Sequence, residues 1–184
     1  MNVTIMTDAS FSRVHRKGSY AFYIKSDKGT ISRDGMLRGD TKHALVAEIK
    51  AIYNAVYHLI FKSGWMEEVS VIYVNTDCMN AIHLLTKDKK NIEKYNLKHH
   101  KEQMRICNLF SNMMRDHAKG IKINFYHVKA HQHTDTPRNY VNDQLDQKAK
   151  KHISKLHENS NLPTGDTRYC RPSFTVKVRS AIKK

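Results

Sequence analysis

Hydrophobic spacing in this chain changes character near residue 43, and that change limits the possible fold more than any other feature. Before it the apolar runs are short. Val3-Thr4-Ile5-Met6-Thr7 reads as a strand, and Tyr20-Ala21-Phe22-Tyr23-Ile24 and Thr30-Ile31-Ser32 flank Asp27-Lys28-Gly29 as a hairpin would. After it, Leu45, Ile49, Ile52, Val56 and Leu59 recur at three- and four-residue steps, which predicts an amphipathic helix over about 43–61, ended by Ser63-Gly64. Val69-Ser70-Val71-Ile72-Tyr73-Val74 returns to the β-branched and aromatic run of a strand covered on both faces. Helical patterns over about 79–85 and 97–118, an alternating run over 121–128 and a last helix over about 140–153 complete the order βββαβααβα. Strands reached by helical crossovers lie parallel to their neighbours, so an α/β domain is expected.

From about Glu158 the character changes again. Pro163, Gly165 and Pro172 fall here with six basic residues against two acidic ones, so residues 158–184 read as a linker and basic tail. Alternation of Phe174, Val176 and Val178 allows a short edge or partner-docking strand as the alternative to disorder. Three cysteines are too few and too scattered for a disulfide scaffold and fit a reducing, cytoplasmic setting. No run reaches 18 apolar residues, and the first eight residues lack a basic segment, so neither a membrane span nor a secretory signal is expected. The 32 Lys and Arg against 17 Asp and Glu leave a net charge of +15, which calls for a polyanionic partner, most simply nucleic acid. Charge alone does not separate an enzyme from a binding module.

The acidic residues make that separation. Two strands end alike, in Met6-Thr7-Asp8 and Asn75-Thr76-Asp77, where open α/β sheets place their ligand sites. If the strands are parallel neighbours, the two aspartates stand about 5 Å apart, a spacing that demands a proton or a cation between them. Glu48 falls in the helical row Ala44, Glu48, Ala51, Ala55, and a carboxylate among alanines beside a core-facing stripe is costly unless paired or metal-bound. Asp143 and Asp146 lie on the last helix. Asp143, two residues before Leu145, is placed near the core-facing side, whereas Asp146 among Gln147, Lys148 and Lys150 reads as a solvated ion-pair partner. His131 lies just upstream in a polar loop. Four carboxylates and a histidine, with no nucleophilic Ser or Cys constellation, suit hydrolysis assisted by Mg²⁺ or Mn²⁺, and a pair of such ions can drive in-line phosphodiester displacement.

The ordered set Thr7-Asp8-Ala9-Ser10, Ala47-Glu48-Ile49-Lys50-Ala51-Ile52, Asn75-Thr76-Asp77, Val128-Lys129-Ala130-His131 and Asn139-Tyr140-Val141-Asn142-Asp143-Gln144-Leu145 resembles ribonuclease H type 1 over residues 1–157. The resemblance implies a ribonuclease H-like fold with a five-stranded mixed sheet flanked by helices. It implies two Mg²⁺ ions, with Mn²⁺ as the alternative, held by Asp8, Glu48, Asp77 and Asp143, with Asp8 shared. It also implies that His131 assists the attacking water or product release, and that Asn139 opens the last helix at the substrate. The implied reaction is cleavage of the RNA strand of an RNA/DNA hybrid to 5′-phosphate and 3′-hydroxyl ends. The chain departs from the family pattern at Thr41-Lys42-His43, where many members carry an Asn pair, and at Met79, where they carry Gln. Those family positions contact the nucleic-acid strands, including ribose hydroxyls.

Residues 86–105 carry Lys87, Lys89, Lys90, Lys94, Lys98, Lys101 and Arg105 against Asp88, Glu93 and Glu102. By position this run resembles the basic protrusion with which some family members grip substrate, although Trp65, the only tryptophan, lies elsewhere. A monomer with a hybrid substrate and no membrane partner is expected, the tail being a candidate contact for a replication partner. A branched-DNA resolvase and a non-catalytic nucleic-acid-binding module on the same fold are the competing readings. Degenerate binding modules usually lose ligands, and here all four carboxylate positions are filled.

Overall fold

Alternating apolar residues at the start of the chain pair as the spacing demands. In the computed structural model, which describes residues 1–94, 101–128 and 137–159, β1 (Asn2–Ser12), β2 (Lys17–Ser26) and β3 (Gly29–Met36) form an antiparallel meander. The tight turn between β2 and β3 falls at Asp27-Lys28, and Gly29 takes φ +128°, a backbone region that side chains disfavour. β4 (Val71–Thr76) lies parallel to β1 on its other side, and β5 (Lys122–His127) lies parallel to β4. The result is one five-stranded mixed sheet in the order β3-β2-β1-β4-β5, with β1 at its centre.

Helices cover both faces. α1 (Ala44–Lys62) is the predicted amphipathic helix, and Gly64 follows its end at φ +72°. α2 (Met79–Leu85), α3 (Lys89–Lys94) and α4 (Lys101–His117) link β4 to β5, and α5 (Pro137–Asn159) closes the described chain. On one face Val3, Ile5, Phe22, Ile24, Ile72 and Val74 of the sheet pack with Ile49, Ile52 and Leu59 of α1 and Ile106 and Phe110 of α4. On the other face Met6 and Ala21 pack with Leu145 and Ala149 of α5. Burial of each large aliphatic side chain is worth about 1.5–3 kcal/mol, so the central strands form a firm platform. α1 is, among the described residues, the one helix long and apolar enough to span a membrane, but it carries Glu48 and Lys50 and its apolar stripe lies in this core.

The extents of β4, α3 and α5 are among those that differ from the sequence expectation, and identifiable hydrogen-bond partners account for them. β4 starts and ends two residues later than the run over 69–74, because Val71–Thr76 is the stretch that pairs with both β1 and β5. Asn75 is accepted inside the sheet because its side-chain amide donates to the Ile5 carbonyl at 3.1 Å. α3 forms within the Lys-rich stretch, where Asp88 accepts hydrogen bonds from the Asn91 backbone and side chain. α5 begins at Pro137, a residue suited to a first helical turn, and runs to Asn159 because His157 is buried against Ser12 and His15.

Candidate active site

The sheet register brings the two aspartates together, although only Asp77 follows a strand end. β1 runs on to Ser12 in its antiparallel pairing with β2, so Asp8 lies inside the strand and not at its end as expected. Met6 pairs with Asn75, so the same parallel register two residues on sets Asp8 beside Asp77. Asp8 is also the partner of Ala21, and it therefore shares the face of Met6 and Ala21 on which α5 packs. Glu48 enters from the second turn of α1. Ala47, Ala51 and Ala55 are buried to 1% exposure or less, and their small side chains let the helix lie close. Gly18 on β2 serves the same approach: a Cβ there would meet Leu37 Cδ1 at 2.8 Å and Ala47 Cβ at 3.2 Å. One ligand oxygen each from Asp8, Glu48 and Asp77 lies within 4.8 Å of the others.

Electrostatics set this cluster apart from ordinary surface acids. Asp8 is 5% exposed. Burial first, then the Asp77 and Asp146 carboxylates, raise its pKa well above the usual range, against the pull of the Ala9 N–H, which donates to Oδ1 at 2.8 Å, and of Lys150. One Glu48 oxygen, Oε2, is shut off from solvent. Asp77 is held by its backbone: His127 at the end of β5 donates from Nε2 to the Asp77 carbonyl at 3.0 Å, and the Cys78 N–H donates to Thr76 Oγ1. Burial pushes the Cys78 thiol up, with Glu48 and Asp77 adding to the effect, so a neutral thiol borders the site. Cys78 directly follows Asp77, so its place beside the carboxylates follows from the chain itself.

α5 carries two carboxylates with different surroundings. Asp143 is exposed and stands outside the Asp8, Glu48, Asp77 group. One helical turn away on either side it has Asn139, Tyr140 and Gln147, none of them buried. Asp146, by contrast, shares its turn with Asn142 and Ala149, both buried, and follows the buried Leu145. Its side chain is 21% exposed, and its charge acts on Asp8. The expected ion pair of Asp146 exists, with Lys150 Nζ at 2.6 Å from Oδ2. Its low exposure departs from the reading of a purely solvated residue. Leu145, Ala149 and Ile153 at four-residue steps are the sequence signal that could have revealed it, since Asp146 borders that row.

Residues 1–154 match the sequence profile of the RNase H family. The chain belongs to the RNase H family of nucleases. No curated protein matches it by sequence. Among solved structures, LC11-RNase H1, isolated from compost by a metagenomic approach, is 16% identical with a TM-score of 0.61, the match covering 84% of this chain and 97% of that one. RNase H1 from the halophilic archaeon Halobacterium salinarum NRC-1 is 14% identical with a TM-score of 0.59, covering 84% and 99%. A second structure of LC11-RNase H1, in complex with an RNA/DNA hybrid, gives a TM-score of 0.56 at 14% identity, covering 84% and 98%. These likenesses show that the RNase H fold is shared.

The remaining candidates of this RNase H-family chain fall as follows. His131 and Lys98 lie outside the described residues, as does the tail from residue 160 onward. Asn139 sits half-buried in the first turn of α5. Lys87, Lys89, Lys90, Lys94 and Lys101 are all exposed, Lys87 at φ +55° in the turn between α2 and α3. Asp88 among them is held below the usual carboxylate range by Asn91, so this acid is engaged locally in capping α3. Where the chain departs from the family pattern, Thr41 is fully buried, while Lys42, His43 and Met79 are exposed. Thr41 is therefore a packing residue beside the start of α1, while its two neighbours stand open to solvent.

Proposed function

We propose that this chain is a divalent-metal-dependent endoribonuclease that cuts the RNA strand of an RNA/DNA hybrid, leaving 5′-phosphate and 3′-hydroxyl ends. The observation that carries this is the convergence of Asp8, Glu48 and Asp77 within 4.8 Å, just beyond the parallel pairing of β1 with β4. The hybrid-bound LC11-RNase H1 structure supports the choice of substrate. The donor set fits a hard cation: it is all oxygen, and the neighbouring Cys78 thiol is kept neutral. Asp8 is raised in part by its acidic neighbours, a repulsion that bound cations would relieve.

Mg²⁺ or Mn²⁺ held by these residues, as a pair, would activate the attacking water and neutralise the leaving oxygen. The chain's own groups do the rest. Asp8 stands beside Asp77, just past the end of β4, and feels the charge of Asp146 on α5. The His127 clamp on Asp77 and the close-packed α1 behind Glu48 fix the ligand positions before any ion arrives. The fourth ligand comes from α5, where the resemblance places Asp143; Asp146, whose charge acts on Asp8, is the neighbouring carboxylate on the same helix. Exposed lysines of the α2–α4 region draw the phosphates in, and His131 is placed by resemblance to handle the attacking water or product.

The test is incubation with Mg²⁺ or Mn²⁺ and labelled RNA/DNA hybrid, double-stranded RNA, duplex DNA and a four-way junction, using wild type, Asp8→Asn, Asp143→Asn and Asp146→Asn. Hybrid cleavage abolished in Asp8→Asn and Asp143→Asn is the expected result. Activity surviving Asp8→Asn would sink the metal site, and junction cleavage with an intact hybrid would establish a resolvase instead. Abolition confined to Asp8→Asn and Asp146→Asn would move the fourth position to Asp146.

A further inference from the structure

The two faces of the sheet are covered unevenly. α5 packs over β1, β2 and β3, and on its side of the sheet β4 and β5 present Tyr73 and Tyr126. The register places them there. Tyr73 pairs with Thr4 and Asn75 with Met6, so Tyr73 shares the face of Met6 and Asp8. Tyr126 pairs with Asn75 and lies on that face too. The two ring centroids are 6.0 Å apart at an angle of 40°, and neither ring belongs to the apolar clusters described above. Tyr126 is 47% exposed and Tyr73 half-buried. Asp77 lies two residues beyond Asn75, which sets the Tyr126 Cα about 8 Å from that of Asp77 and about 12 Å from that of Asp8. Lys25, paired with Thr4, and Lys122, paired with Val71, are exposed on the same face.

We propose that Tyr73 and Tyr126 form a stacking platform for unpaired bases of a single-stranded extension of the substrate, its phosphates drawn to Lys25 and Lys122. The proposal rests on the nuclease reading above, which brings a nucleic-acid strand to the carboxylates beside this face. Every base has a π-face, so open aromatic rings on adjacent strands accept single-stranded bases with little regard to sequence. The two exposed ammonium groups match a polyanion and not an apolar partner. α1, α2 and α4 pack on the opposite face of the sheet, so the lysines of the α2–α4 region and this platform hold different parts of one substrate. Paired hybrid falls to the former and an unpaired end to the latter. An aromatic pair across neighbouring strands can also serve sheet stability alone, and binding measurements separate the two roles.

Fluorescence anisotropy in EDTA, which prevents cleavage, compares a labelled blunt hybrid with hybrids carrying a short single-stranded extension at each strand end in turn, and with the free single strand. In wild type the best-placed extension should tighten binding about tenfold over the blunt hybrid. Tyr126→Ala should lose that ratio, whereas Tyr126→Phe and Tyr126→Trp should keep it. Lys122→Gln should flatten the fall of log K with log salt for the single strand by about 0.7. Circular dichroism melts verify that the variants are folded. No gain from any extension in wild type, or a gain that survives in folded Tyr126→Ala, overturns the platform. Cleavage of the blunt hybrid by wild type in Mn²⁺ is read separately, and its absence overturns the nuclease reading. Single-strand binding that is equal in wild type and folded Tyr126→Ala overturns the platform whichever way cleavage turns out.

Discussion

Replacing Asp8 by Asn should make the metal-free protein more stable while removing its activity. Asn preserves the shape and can still accept the Ala9 N–H at the Oδ1 position. What it removes is a buried charge and its repulsions. At the outer limit of 4.8 Å between ligand atoms, each pair of carboxylate charges repels by about 0.9 kcal/mol if screened as in water and by about 3.5 kcal/mol at an effective dielectric constant of 20. Relaxation and partial protonation reduce this, so a net gain of about 1–3 kcal/mol is expected, or a Tm rise of roughly 3–10 °C for a domain of this size. The pH dependence has a definite sign. Asp8 has a folded pKa raised above its unfolded value near 3.8, so wild-type stability from this group is full below that value and is lost as pH rises through the folded pKa. The advantage of Asp8→Asn should be small in acid and should open toward neutral pH. Thermal melts of both proteins in EDTA between pH 4 and pH 8 measure this directly. Added Mn²⁺ should reverse the order, since ion at about 100 times its Kd stabilises wild type by about 2.7 kcal/mol and the variant little. An Asp8→Asn protein less stable than wild type in EDTA at pH 7, or a gap that does not close in acid, would refute the reasoning.

Three further outcomes follow from other parts of the structure. Replacing exposed Lys89, Lys90 and Lys94 by Gln should flatten the fall of log K with log salt by about 0.9 for each phosphate these lysines neutralise, on the B-form scale, and an unchanged slope would reduce this face to a solvated one. Gly18→Ala should cost about 1–3 kcal/mol in urea unfolding, because its Cβ would meet Leu37 at 2.8 Å and Ala47 at 3.2 Å; a wild-type midpoint would mean that α1 can retreat freely. Burial holds the Cys107 thiol up at about 11 and raises Cys78 as well, so Ellman's reagent at pH 8 should label both only after unfolding. Rapid labelling of either in the folded protein would contradict the packing around it.

How much of the site is legible in the sequence depends on whether a residue's neighbours in the chain are also its neighbours in space. Asp8 and Asp77 are legible because each follows a short apolar run, and parallel strands in matching register must bring such positions together. That β1 continues past Asp8 to Ser12 is not legible in the same way, since it depends on pairing with β2. Glu48 is legible because helical periodicity alone sets it in a row of alanines. The fold order is legible for the same reason, since periods of two and 3.6 are local properties. The α5 carboxylates are not. Both flank Leu145, and which of them turns inward depends on which neighbouring turn is covered. Asn142, a polar residue, is buried, as is Ala149, and these two define the covered side that Asp146 borders. A polar residue carries no hydrophobic signal of its own burial, so the sequence leaves the helix rotation undetermined by about the 60° that separates positions three apart. The extent of β4 is hidden in the same way, because Asn75 enters the sheet only by virtue of a carbonyl on β1. The end of α5 is hidden too, because His157 is held by Ser12 and His15, residues 145 and 142 positions away. In each case a polar side chain is buried on a distant partner, and hydrophobic patterning cannot register a cost that is offset elsewhere in the chain.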